Sequence, residues 1–150
     1  MTQSTRPKPR PRSDFRHFIP LQTRWSDNDQ YGHINNPVYN VFFDVIVNNW
    51  LMEAAGMRPR VGEWVGLVVD TRVSFFAPAS YPEPLEAGMV VGETTTSSVR
   101  YEIGIFKAGG ETTIAHGHFV QVYVDTATQR PIPLPAALAT ALTPLSAAPL

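Results

Sequence analysis

The chain has 150 residues, 43% of them hydrophobic, a formal net charge of −1 and no cysteine. Its length and apolar content fit one domain with a real core, while the lack of cysteine excludes disulfides, a thiolate nucleophile and a Cys-ligated zinc site. No apolar run approaches the roughly 20 residues of a membrane span, and no apolar signal segment follows the basic N-terminus, so the expectation is a cytoplasmic protein with no membrane partner.

Residues 1–16 carry Arg6, Lys8, Arg10, Arg12 and Arg16 against Asp14, a local charge of +4 that leaves −5 on the rest of the chain. With Pro7, Pro9 and Pro11 and almost nothing apolar to bury, this stretch reads as a disordered or extended basic tail ahead of a single domain over residues 17–150. It lacks the aromatic residues that would stack bases, so no nucleic-acid partner is expected.

Phe18 to Trp25 reads as a first strand. It leads into the most informative segment, residues 24–39, RWSDNDQYGHINNPVY, where two aspartates, a glycine, a histidine and two asparagines precede a proline-initiated helix. Asn36 is a good N-cap and Pro37 suits the first helical position. The unpaired N–H groups of that first turn, at the positive end of the helix dipole, can face an oxygen that becomes negative during a reaction. Asp29 is the nearest candidate nucleophile or base.

The helix should run from Pro37 to about Ala55, stopped by Gly56, with Pro59 blocking its resumption. Val38, Val41, Phe42, Val45 and Met52 lie along one side, but Phe43, Ile46, Val47, Trp50 and Leu51 add apolar groups elsewhere. Such a helix must be surrounded rather than laid on a surface.

The second half supplies the surroundings. Leu67 to Phe75 alternates with period two up to Pro78, Leu85 to Thr96 follows with Gly88 and Gly92 inside it, Val99 to Ile105 alternates again, and the Ala108–Gly110 turn leads to Thr112–Val124. One strand, a long helix and four closely connected strands make an α+β architecture with an antiparallel sheet. The uncharged stretch from Pro131 onward, with a short helix or docked loop at Pro135–Leu142, reads as packing material.

The block DNDQYGHINN, followed by a long apolar helix, is similar to the signature of hotdog-fold acyl-CoA thioesterases of the 4-hydroxybenzoyl-CoA thioesterase type, over roughly residues 18–140; Ile34 stands where valine is usual, and Tyr39 supplies the tyrosine that follows. The resemblance implies a hotdog fold, a long central helix wrapped by an antiparallel sheet of five to six strands, assembled as a homodimer or homotetramer. It implies hydrolysis of an acyl or aroyl thioester, carried by CoA or an acyl carrier, with no metal and no cofactor. In the resembling enzymes the acid at the Asp29 position either attacks the carbonyl or activates a water, and both routes stay open. Helix-start amides polarise the carbonyl, with Asn36 first by position and Gly32 or His33 behind it. His33 is a candidate to orient Asp29 or the water, and the Asn35 or Asn36 amide to hold either.

Other positions are weighed beside these. Asp27 reads as a loop-former. Tyr39 is a candidate wall residue, as are Trp50 and Phe42 for an acyl pocket. Ser98 and Arg100 are candidates to reach substrate, since in hotdog dimers it typically lies between one subunit's helix start and the other's sheet; Arg72, Arg100 and Arg130 are candidates for coenzyme A phosphates. A calcium loop starting at Asp27 fails because its twelfth position is Val38. His116 and His118 share a strand face but lack an evident third ligand. The rival functions are a hotdog hydratase or dehydratase, and a non-catalytic module that binds acyl thioesters.

Overall fold

The computed structural model describes residues 6–146. Five strands, β1 (His17–Leu21), β2 (Trp64–Phe75), β3 (Leu85–Thr94), β4 (Ser98–Lys107) and β5 (Ala115–Asp125), form one antiparallel sheet in the order β1-β3-β4-β5-β2. The helix α1 (Asn36–Ala54) links β1 to β2, which lie at opposite edges, so it must cross the sheet. This is the hotdog arrangement that the motif implies.

The helix stripe Tyr39, Phe42, Phe43, Ile46, Val47, Trp50 and Leu51 is buried, the i, i+3, i+4 spacing of a single core-facing side. It meets the alternate residues of the sheet, Val91, Val99, Tyr101, Ile103, Ile105 and Phe119 among them. The expectation of a fully surrounded helix holds on that side only: Val41 is 49% and Met52 43% exposed. The helix stops where expected, with Gly56 at φ +69° and the Met57 N–H donating to the Leu51 carbonyl at 3.0 Å. The predicted C-terminal helix forms as α2 (Ala136–Leu142), burying Leu138 and Leu142 in the same core, and Leu145 follows just beyond it.

Two expectations need correction. The first strand ends at Leu21 rather than Trp25, and Trp25–Asp27 instead form a 3-10 turn, because Asp27 captures the Arg24 N–H at 2.7 Å and bends the chain. The basic leader is not free chain from Lys8 onward. The Lys8 carbonyl accepts from His116, Arg10 pairs with Glu102 at 3.2 Å, Arg12 pairs with Glu86 at 3.0 Å, and the Arg12 N–H donates to the Glu111 carbonyl. Phe15 is 4% exposed and makes a second small core with Val90 and Phe106 on the sheet face away from α1. The tail reading missed this because the arginines find carboxylates that lie about 70 to 100 residues away, a match no local pattern contains. Residues 1–5 of that leader lie outside the described residues.

Candidate active site

The site grows from the loop between β1 and α1. Asp27 is 1% exposed and its carboxylate accepts the Arg24 backbone N–H and two of the Arg24 guanidinium nitrogens, Nη2 and Nε, at 2.8 and 3.1 Å from Oδ1. It is a loop-former, facing the chain rather than a ligand. The next residues make a closed turn: the Gly32 N–H donates to the Asp29 carbonyl at 3.1 Å, the Asp29 N–H to the His33 carbonyl at 2.9 Å, and Gly32 takes φ +79°, which glycine alone adopts without strain. One carboxylate oxygen of Asp29 accepts the Tyr31 N–H at 2.8 Å. The other has no hydrogen-bond partner among the described residues.

At the helix start the cap falls one residue earlier than expected. Asn35, at φ −64° and ψ 139°, is the N-cap, Asn36 is the first helical residue, and neither side chain caps the helix. The backbone accounts for every early N–H group but one. Asn35 donates to the Asp27 carbonyl at 2.8 Å, Pro37 has no N–H, and Val38 donates to the Asn35 carbonyl at 2.9 Å. The Asn36 N–H has no acceptor among the described residues, as expected of a first-turn amide. The Gly32 and Asn35 amides are therefore committed to the loop, and the Asn36 amide is open to a ligand.

These groups meet in one cleft of about 560 Å³. Asp29, Tyr31, His33, Ile34, Asn35, Asn36 and Tyr39 line one side, and Phe75, Phe76, Ala77 and Pro78, at and after the end of β2, line the other. Tyr39 is 3% exposed, and its ring stands edge-on to Phe42 and Phe75 with centroids 5.8 and 5.1 Å away. Burial first, and the Glu83 charge second, push its phenol above the ordinary value, so it stays protonated and able to donate.

Of the predicted site residues, Asp29, His33, Asn35, Asn36 and Tyr39 are brought together, while Gly32 shapes the turn without lining the cleft. Ser98 and Arg100 stand outside the cleft of their own chain. Ser98 closes the β3–β4 hairpin, its hydroxyl 2.5 Å from that of Thr95. Arg100 lies 3.7 Å from Glu102 and borders a separate 140 Å³ cavity with Arg10, Arg72, His116 and His118, on the sheet face away from α1. His118 meets Asp70 at 2.8 Å. Trp50 packs on Tyr101 in the core and does not line the cleft. The Phe75–Pro78 wall escaped sequence reading; its only signal was that a predicted strand ends beside a proline. Among the described residues no cluster of three or more His, Asp or Glu is placed to hold a metal ion, and no helix is long and apolar enough to cross a membrane.

Comparison with known proteins gives the family and the fold. The family profile described as the thioesterase-like superfamily matches residues 23–142. The structure is similar to the crystal structure of the PA5185 protein from Pseudomonas aeruginosa strain PAO1, at 40% identity and TM-score 0.92, covering 95% of this chain and 100% of that one. It is similar in fold to Slr0204, a 1,4-dihydroxy-2-naphthoyl-CoA thioesterase from Synechocystis, at 19% identity and TM-score 0.74, covering 83% and 93%. A search of curated proteins gave no match.

Proposed function

The chain belongs to the thioesterase-like superfamily, and from that premise we propose that it hydrolyses an acyl or aroyl thioester of CoA, or of an acyl carrier, at the cleft beside the start of α1. One observation carries this reading: Asp29, with a carboxylate oxygen free of hydrogen bonds, and Asn36, with an unpaired N–H, line the same cleft. A thioester carbonyl oxygen resting on the Asn36 amide gains stabilisation as it becomes an oxyanion. The free Asp29 oxygen then acts in one of two ways. As nucleophile it bonds to the carbonyl carbon, the C–S bond breaks, the thiolate leaves, and water cleaves the resulting anhydride. As base it takes a proton from a water whose oxygen bonds to the carbonyl carbon, and the C–S bond then breaks as the thiolate leaves and takes up a proton. His33, on the same wall, orients the acid or the water, and Tyr39 offers a protonated hydroxyl to the acyl group.

The reading includes a homodimer. The outer edge of β2 is unpaired among the described residues, and Leu67, Val68 and Val69 on it are 42 to 61% exposed. Such an edge is a template for a second copy. Ser98 and Arg100 belong to the proposed site only as contributions from that second copy.

The test is thiol release from a panel of acyl-CoAs, measured for the wild type, Asp29→Ala and Asp29→Asn. We expect wild-type turnover and a loss in kcat of about 10²- to 10⁴-fold in both variants; full activity in either removes Asp29 from the mechanism. Saturable binding of CoA esters without thiol release would favour a binding module, and water addition across an enoyl thioester would favour a hydratase.

A further inference from the structure

The turn that presents Asp29 is closed on itself, so something else must hold it against the opposite wall of the cleft. Three hydrogen bonds cross to it from residues 79–81. Ile34 donates its N–H to the Ala79 carbonyl at 2.8 Å, the Ser80 hydroxyl donates to the Gly32 carbonyl, and the Tyr81 N–H donates to the Asn28 side-chain oxygen at 3.0 Å. Ser80 is itself braced, its N–H on a Glu83 carboxylate oxygen at 3.1 Å and its carbonyl on the Glu83 N–H at 2.8 Å. The hydroxyl thus stands on a tight turn that continues directly from Ala77 and Pro78, which wall the cleft. Ser80 does not line the cleft, so anything it does there it does through the residues it holds.

We infer that Ser80, assisted by Asn28, is a positioning residue that fixes the distance of Asp29 from the bound carbonyl by clamping the Gly32 turn to the far wall. The inference rests on the thioesterase reading. Backbone ties alone leave the turn one bond to this wall, at Ile34, the bridge partner of Asn28 at the base of the turn. The two side-chain ties grip it at Asn28 and Gly32, on either side of the acid. A reacting group displaced by even about 1 Å can cost up to roughly 10²-fold in rate, while binding of the rest of the substrate is little changed.

The experiment compares full-length wild type, Ser80→Ala, Ser80→Thr and Asp29→Asn, alone and combined with Ser80→Ala, on the acyl-CoA that the wild type hydrolyses fastest. Hydrogen exchange over residues 28–35 is measured on the same proteins. Ser80→Ala should lower kcat by about 10- to 100-fold with KM within about twofold, and exchange should quicken in residues 28–35 with the rest of the sheet unchanged. Ser80→Thr, which keeps the hydroxyl, should restore both readouts, and Ser80→Ala should cost nothing further once Asp29 is Asn. Wild-type kcat in Ser80→Ala, losses that multiply with those of Asp29→Asn, or unchanged exchange would each overturn the clamp. Should the wild type release no thiol from any thioester, the hydrolase reading falls, and exchange over residues 28–35 decides the clamp by itself.

Discussion

The role proposed for Asn36 rests on its backbone N–H, not on its side chain, which makes no cap hydrogen bond. That N–H is open because a first-turn amide has no helical carbonyl before it, whereas Asn35 bonds to Asp27, Pro37 has no N–H and Val38 turns back on Asn35. If that amide polarises the thioester carbonyl, Asn36→Ala should change kcat/KM by no more than about threefold, since the backbone donor survives, whereas loss of a true oxyanion donor costs about 10²- to 10³-fold. Steady-state kinetics separates the two. A large loss would move the role to the side-chain amide, the second option that the resemblance to thioesterases leaves for this position. Stability should be nearly unaffected, because the side chain makes no cap hydrogen bond.

At the scale of elements, the site depends on how tightly β2 lies against β5, because the end of β2 supplies the far wall of the cleft. Val73 pairs with Gly117 where the backbones approach so closely that a Cβ at Gly117 would overlap the Arg72 carbonyl oxygen. Gly117→Ala must therefore push β2 outward, and overpacking of this kind costs about 1–3 kcal/mol. Chemical denaturation should show that loss, and activity should fall with it as Phe75 and Phe76 move. The bulge between Val68 and Asp70 works in the same strand. It leaves Val69 without a partner on β5, and this residue is 61% exposed beside the unpaired edge.

Two predictions concern the whole molecule. In the proposed dimer the β2 edge is covered, so Val69→Lys should shift the protein toward monomer in sedimentation and reduce turnover with it; an active wild-type monomer would refute the proposed assembly. The second concerns the strap formed by residues 8–15. Glu86 anchors it, and its carboxyl lies below the ordinary value of 4.5 because the Gly109 N–H and then the Arg12 guanidinium stabilise the anion. A carboxyl whose folded pKa is depressed stabilises the fold fully above its unfolded value and loses that contribution as pH falls through the folded one. Stability should therefore drop on acidification below about pH 4.5, and Glu86→Gln should flatten that part of the profile while lowering stability at neutral pH. Thermal melts across the range would show both.

The elements, and the loop residues that gather at the helix start, were legible in the chain because their signals are local. Period-two strands, a helix with a glycine stop, and an aspartate, glycine, histidine and asparagine run ahead of a proline all act within a few residues of each other. What only the tertiary structure decided were meetings between distant segments. Phe75 to Pro78 faces Asp29 across the cleft, Ser80 reaches Gly32, Arg12 finds Glu86, and Ser98 and Arg100 stand away from the cleft of their own chain. Such pairings arise from strand order and register, which put β2 at one edge of the sheet and β1 at the other. Order and register are set by burial of one sheet face against α1 and the other against Phe15, a condition on the entire core rather than on any stretch of it.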